Sequence, residues 1–389
     1  MEPHDKKMKI LITTDLYTTN TNGVVTSVQN LFDELTALGH DVKILTLSDS
    51  FTSHREGPIT YIRSVSLEKV YPNVRMPVTY RHELIGDIIR WKPDVVHSQC
   101  EFFSYQFASH ISKATGAPIV HTYHTLYEQY VTSYLIPSRR FSRALVKFLS
   151  RTRLKNVSTL IAPTQKVENA LQSYGLKSPI EIVPSGISLE QHRQRMAPQV
   201  RREKRQALGF RDENLVLLNL GRLGGEKNLG ELITLFAEAR KENDLLKFLI
   251  VGDGPARMEL EGLARKLEVA EHVVFTGMVS PGEVQDYYQL GDLFVSASTS
   301  ETQGLTYIEA AANGLPLLCR QDDCLTDVLQ EGENGYEYTC AEEFLRAIDT
   351  VLEDPQWRAA AGRRSQEIAA SFDKKAFAEA VESIYESVL

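Results

Sequence analysis

The chain has 389 residues, 42% hydrophobic and 24% charged, with a formal net charge of -8 and an isoelectric point near 5.8. This composition excludes disordered, collagenous and disulfide-scaffold classes and leaves a globular protein long enough for two domains of about 150 residues each. The acidic balance argues against nucleic acid as a partner, because phosphate backbones are held by excess Lys and Arg.

Lys9-Ile10-Leu11-Ile12-Thr13-Thr14 is short, branched and bounded by a polar turn holding Asn20, Asn22 and Gly23, the pattern of a buried strand. From Val24 to Leu38 apolar residues fall at Val24, Val28, Leu31, Leu35 and Leu38, one helical face, with Gly39 as the stop. Further strands are expected at Asp41 to Leu45, Asp94 to His97, Pro118 to Thr122 and Thr159 to Ala162. The pattern restarts after Pro184-Ser185-Gly186. A polar, basic stretch through Arg205 leads into Asn214 to Leu220, a new first strand, followed by Leu246 to Val251, Val273 to Phe275, Leu293 to Val295 and Pro316 to Leu318. The boundary is expected near residues 186–192, between two doubly wound parallel-sheet α/β domains whose strand ends face a ligand cleft.

The four cysteines, Cys100, Cys319, Cys324 and Cys340, have neither zinc-type pairing nor disulfide density. They point to a reduced protein, Cys319 and Cys324 beside Asp322 and Asp323 read as surface thiols, and no metal is assigned. The first residues, Met1 to Lys7, are polar and charged, and no run of about 18 apolar residues occurs. A cytoplasmic protein with at most peripheral membrane contact is therefore expected.

Ser300 to Pro316 reads as a loop, a helix beginning near Gly304, and a Gly314-Leu315-Pro316 stop. Such a helix start offers backbone N–H groups and a positive dipole end, which suit a diphosphate. Glu301 then lies just before the helix and Glu309 about one and a half turns inside it, where carboxylates can accept from sugar hydroxyls. The alternative is a capped helix with solvent-facing glutamates. Leu220-Gly221-Arg222-Leu223-Gly224-Gly225-Glu226-Lys227-Asn228 ends a strand in a glycine-rich turn with two cations, a match for phosphate oxygens unless the charges are merely superficial.

These segments resemble the retaining GT-B glycosyltransferases of family 4. The likeness covers nearly the whole chain: Asn22-Gly23-Val24, Tyr123-His124-Thr125, Pro184-Ser185-Gly186, Gly221 to Asn228, Gly252-Asp253-Gly254-Pro255, Phe275-Thr276-Gly277, and Glu301 through Glu309. Asn22 to Val28 and His121 to Val131 are similar, further, to the diacylglycerol glucosyltransferases of Gram-positive bacteria, which make monoglucosyl-diacylglycerol. The resemblance implies a GT-B fold with an N-terminal acceptor and membrane domain of 1–188 completed by a C-terminal helix of about 374–389, and a nucleotide-sugar domain of 189–373. It implies glucose transfer from UDP-glucose to 1,2-diacylglycerol with the alpha configuration retained, and no cofactor or essential metal.

By the same resemblance Glu309 binds ribose hydroxyls and Glu301 the hexose, with the backbone at Gln303, Gly304 and Leu305 nearby. Arg222 and Lys227 hold the diphosphate, assisted by Thr306. Gly23 lets the first turn approach the diphosphate, Met278 and Val279 face the base, and His124 helps to position the transferring sugar. One departure is the segment Cys319-Arg320-Gln321-Asp322-Asp323-Cys324, which stands where many relatives carry glycines. Two rivals remain at this level: a sister enzyme with another donor or with monoglucosyl-diacylglycerol as acceptor, and a non-catalytic membrane-surface protein on the same scaffold. No oligomeric state follows from the residues.

Between Glu128 and Glu168 there is no acidic residue, while Arg139, Arg140, Arg143, Lys147, Arg151, Arg153 and Lys155 crowd one segment. Phe141, Ala144, Leu145, Phe148 and Leu149 recur at helical spacing beside them, an amphipathic basic helix suited to anionic membrane lipids, or else a packed helix with a solvated basic face. Tyr127, Tyr130, Tyr134, Leu135 and Ile136, just before it, are candidates to admit the lipid acceptor or to be ordinary core.

Overall fold

The computed structural model describes residues 7–17, 22–67, 74–126 and 139–389. Of these, the residues up to 126, 139–187 and 374–389 form one compact unit, and 188–373 form the other.

The first unit is built on a sheet of β1 (Lys9–Thr13), β2 (Asp41–Leu47), β3 (His54–Glu56), β4 (Ile59–Ile62), β7 (Val95–Ser98), β8 (Ile119–Thr122), β9 (Thr159–Ala162) and β10 (Ile180–Ile182). A small antiparallel pair, β5 (Ser64–Ser66) and β6 (Arg75–Pro77), lies outside it. The order is β10-β9-β8-β7-β1-β2-β4-β3, parallel except for β3. Central strands are buried along their length, β7 and β8 at every residue, because helices cover both faces; their sequences are continuous apolar runs for that reason. The helix Gly23–Ala37 starts where Asn22 Oδ1 accepts from Val25 N–H at 3.0 Å. It buries Val28, Leu31 and Leu35 against β1 and β2.

The last helix, Lys374–Val388, returns to this unit. Phe377, Ala378, Val381 and Tyr385 join the same core as Ile10, Ile12 and Leu31. Polar contacts fix its position: His40 Nε2 to Glu382 Oε1 at 2.8 Å, Lys374 Nζ to Glu34 Oε1 at 2.7 Å, and Tyr385 Oη to His97 Nδ1 at 2.6 Å. Burial holds the His97 imidazole neutral, with its pKa well below the ordinary value. Both its nitrogens are bonded, the other to Thr122 Oγ1 at 2.7 Å.

The second unit carries β11 (Leu215–Leu220), β12 (Leu246–Val251), β13 (Val273–Phe275), β14 (Leu293–Ser296), β15 (Leu317–Arg320) and β16 (Gly335–Tyr338). Their order is β13-β12-β11-β14-β15-β16, parallel throughout. Its core gathers Leu217, Phe236, Phe248, Ile250, Val295 and Phe344. Cys319, on β15, and Cys324 are buried rather than surface thiols, since β15 lies between β14 and β16 and its residues face helices. In each sheet the chain leaves a central strand toward both sides. The resulting switch points lie between β1 and β7 and between β11 and β14, where the loops diverge at the carboxyl ends and leave room for a ligand.

Replacing Tyr385 by Phe leaves a buried His97 nitrogen without its partner. The expected cost is about 1–3 kcal/mol of stability, read as a lower urea midpoint at unchanged slope.

Candidate functional site

The second switch point gathers most of the predicted donor-site residues. After β11 the chain turns through Gly221, at φ 151°, into the short 3-10 turn Gly225–Lys227. After β14 it runs through Ser298 and Ser300 to Glu301. The two loops are joined, because Ser300 Oγ donates to Glu226 O at 3.2 Å and Lys227 Nζ contacts Glu301 Oε1 at 2.5 Å. Below them Asn219 Nδ2 donates to Val295 O at 2.8 Å and ties the strands. Arg222 is paired with Glu226, whose side chain is almost wholly buried. Neither cation is therefore the isolated phosphate ligand that the motif alone implies. Each is oriented by a carboxylate, at the cost of part of its field.

The helix Leu305–Ala312 begins beside this pair. Gly304, the N-cap residue, adopts the left-handed conformation, φ 74°, and has no side chain to occupy the helix end. Its first N–H groups and dipole thus make an anion-binding end within the same loop cluster as Lys227. Gln303 is buried, and Leu305 and Thr306 are partly exposed. The glycine turn after β12 closes the wall: a Cβ on Gly252 would stand 2.0 Å from Gly221 O. Glycine is required there for the close approach of two loops. Met278 is exposed at 75% and Val279 is partly exposed, in the loop beyond β13.

Glu309 is not a solvent-facing glutamate. It lies inside the helix with Tyr288 Oη donating to its Oε2 at 2.7 Å. Burial pushes its carboxyl up to about 7, and the Tyr288 hydrogen bond opposes the shift without reversing it.

In the first unit His124 follows β8 and is half-buried. Its Nε2 meets Gln99 Oε1 at 2.7 Å, and burial, assisted by neighbouring His121, lowers its pKa to about 3. It is a neutral imidazole across the physiological range. Gly23 is exposed at the first turn of its helix.

The basic helix spans Arg139–Arg153. Val146 and Ser150 face inward, whereas Leu145 at 40% and Phe148 at 65% are exposed. The apolar stripe thus turns away from the core and does not pack beneath a solvated basic face. Lys147 Nζ donates to Ser173 O at 2.8 Å and Arg143 to Ser173 Oγ at 3.4 Å, so these cations also serve the carboxyl end of the helix Gln165–Tyr174. Arg151 is exposed. The side chains of Arg139, Arg140 and Phe141, and residues Tyr127, Tyr130, Tyr134, Leu135 and Ile136, lie outside the described residues.

Known proteins match this arrangement along the chain. The family described as Glycosyltransferase Family 4 matches residues 21–191, and Glycosyl transferases group 1 matches residues 200–368. The alpha-monoglucosyldiacylglycerol synthase of Streptococcus pneumoniae is 34% identical over 89% of this chain and 78% of its own length. The chain belongs to the family 4 glycosyltransferases. The enzyme of the same name from Acholeplasma laidlawii is 30% identical over 97% of this chain and 96% of its own. A crystal structure of Anabaena HepE in complex with UDP and glucose superposes with a TM-score of 0.77 at 18% identity, over 98% of this chain and 100% of that one. The fold is GT-B, and this glycosyltransferase is a hexosyltransferase.

Three partner residues carry no role in the sequence reading: Glu226, Tyr288 and Gln99. Glu226 stood inside the glycine-rich motif and was counted only as part of it. Nothing in the spacing of Tyr288 or Gln99 marks the side chain it meets. Glu309 is expected to ionise near pH 7, and Tyr288→Phe, by removing a donor to the carboxylate, to move the midpoint upward. Isotope-edited infrared spectra of the carboxyl stretch between pH 5 and 9, referenced to Glu309→Gln, check both.

Proposed function

We propose that this glycosyltransferase is a glycolipid synthase that moves glucose from UDP-glucose to the free hydroxyl of 1,2-diacylglycerol, at the inner face of the cell membrane and with retention of the alpha configuration. The observation that carries the reading is the Lys227–Glu301 pair beside the glycine-led start of the helix Leu305–Ala312. It puts a cation and N–H groups suited to a diphosphate within one side-chain contact of a carboxylate suited to a hexose hydroxyl. The names of the two synthases similar to this chain support the choice of donor sugar and acceptor.

In this reading Arg222, Lys227 and the helix end stabilise charge on the departing UDP, and Glu226 keeps the Arg222 guanidinium in place. Glu301 and His124 hold the hexose, Glu309 accepts from the ribose hydroxyls, and the backbone of Gln303, Gly304 and Leu305 with Thr306 completes the phosphate contacts. Met278 and Val279 face the base, and Gly23 allows the backbone of its turn to approach the diphosphate. The acceptor hydroxyl attacks the anomeric carbon from the face that UDP leaves. The sugar–phosphate bond breaks, the glycosidic bond forms, and the hydroxyl proton passes to the leaving phosphate oxygen. Protein cations and the helix end supply the charge stabilisation, so no essential metal is needed in this scheme.

The acceptor lies in a bilayer, and the first unit offers a surface for it. Exposed Leu145 and Phe148 are flanked by Arg143 and Arg151. Such cations contribute about 1 kcal/mol each near an anionic leaflet, and the apolar pair inserts at the headgroup boundary. Among the described residues no helix is long and apolar enough to cross a membrane.

Radiolabelled UDP-glucose with diacylglycerol in anionic vesicles is expected to give one glycolipid product, lost in Glu301→Ala. Product only from monoglucosyl-diacylglycerol would make this the second-sugar enzyme. UDP is expected to bind more weakly at pH 6, up to about tenfold, than at pH 8, because ionised Glu309 is the stronger acceptor for ribose hydroxyls; calorimetry at the two pH values decides, and a flat profile removes Glu309 from the ribose. Replacing Leu145 and Phe148 together by Glu is expected to abolish flotation with anionic vesicles while sparing turnover of a short-chain, water-soluble diacylglycerol.

A further inference from the structure

Gln99 is the first residue beyond β7, and its backbone N–H donates to Thr13 O on β1 at 2.9 Å. It therefore stands at the switch point of the first unit, where a ligand-binding crevice is expected. The residue is 2% exposed. Its Oε1 is taken by His124 Nε2 at 2.7 Å, and since the imidazole is neutral this contact is an Nε2–H donating to the amide oxygen. The other end of the amide, Nε2 with two N–H donors, is buried without a hydrogen-bond partner among the described residues.

Its charged neighbours have partners, whereas Thr13 Oγ1, Ser104 Oγ and His121 Nδ1 share with the Gln99 amide nitrogen the lack of a hydrogen-bond partner among the described residues. Asp15 Oδ1 accepts from Ser104 N–H at 2.6 Å, Glu101 Oε1 meets His121 Nε2 at 3.3 Å, and Cys100 Sγ lies 3.8 Å from Thr14 Oγ1. An unbonded amide N–H in such a place is a standing penalty unless something with a lone pair arrives. The carboxylates of Asp15 and Glu101, the latter two residues along the chain, disfavour an anion there. A neutral hydroxyl fits, since it can accept from the amide.

We infer that Gln99 is a substrate-binding residue whose amide N–H2 donates to a sugar or glycerol oxygen while its Oε1 fixes the tautomer and orientation of His124. The inference rests on the proposed transferase reading and deepens it, by naming the group that couples the imidazole to the substrate. The shared chemistry is a neutral hydroxyl-bearing carbon chain, and its source is either the hexose of the donor or the glycerol of the acceptor.

The test uses the full chain with UDP-glucose and diacylglycerol in anionic vesicles, measuring KM for each substrate separately. Gln99→Met keeps the side-chain length and removes both polar ends. KM for one substrate is expected to rise about 10- to 100-fold, and the substrate affected identifies the source. The thermal midpoint should not fall in parallel, since a buried unbonded amide is lost as well. Gln99→Glu keeps an oxygen beside His124 and places a carboxylate against the ring. It should show the same loss in KM and a new acid limb in the pH profile of kcat/KM, which a purely structural glutamine would not produce. Gln99→Asn should recover part of the loss. Wild-type KM for both substrates in folded Gln99→Met overturns the inference. If the wild-type protein turns over no nucleotide sugar, the transferase reading falls instead. Saturation-transfer NMR with glucose and glycerol then decides separately: signal lost in Gln99→Met supports the inference, and unchanged signal refutes it.

Discussion

An ammonium and a carboxylate 2.5 Å apart, Lys227 and Glu301, span the switch point of the second unit, and the surrounding construction serves to bring them there. They come from loops that follow β11 and β14, neighbours in the sheet although 74 residues apart in the chain. The parallel pairing of those strands, the Asn219 bond across them and the seryl contact to Glu226 fix both loops. A carboxylate facing a diphosphate site would repel the ligand by itself, and an unrestrained lysine would lose entropy on binding it. Paired, each corrects the other's fault. The pair, together with Arg222–Glu226, carries no net charge, so in the proposed donor site the attraction for a diphosphate falls more heavily on the N–H groups of the helix Leu305–Ala312.

The first unit places polar side chains by the same topological rule but uses neutral ones. His97 and His124 are both held neutral by burial, and Gln99 and Thr122 bond to them. Among the described residues the charged groups noted at the β1–β7 switch point are Asp15 and Glu101, each with a hydrogen-bond partner. Such a lining suits hydroxyls better than phosphates, just as the paired cations and helix end of the other unit suit phosphates and sugar together. The last helix belongs to this arrangement through Tyr385, which satisfies the far side of His97. The polar cluster above the sheet therefore depends on the carboxyl-terminal 16 residues, 374–389, for its support.

The legible parts of the sequence were those in which one residue pattern has one physical solution. Leu215-Val216-Leu217-Leu218 can only be a strand buried on both faces, and Gly304 before Leu305 marks the helix start because few other residues accept φ 74°. Partnerships were not legible. Lys227 meets Glu301 because β12 and β13 lie to one side of β11 and β14 to the other, and Tyr288 meets Glu309 across 21 residues from a helix of its own; spacing says nothing of either. Burial of Cys319 and Cys324 was equally illegible, because neither thiol's spacing says that β15 lies between β14 and β16.

The helix Arg139–Arg153 shows what periodicity leaves undetermined. Its pattern contains an apolar stripe and a basic stripe, and the spacing alone assigns neither to the interior. The structure resolves the question with a third sector: Val146 and Ser150 pack inward, so the apolar stripe of Leu145 and Phe148 is free to face outward. Part of the basic stripe has work inside the protein, since Lys147 and Arg143 contact Ser173 at the end of the neighbouring helix, and Arg153 donates to Phe102 O at 3.1 Å. Cations with such contacts have less reach toward lipid phosphate than a count of Arg and Lys implies. In the proposed role at a membrane, association of this unit is therefore expected to depend more on insertion of Leu145 and Phe148 than on charge, with a correspondingly shallow dependence on salt.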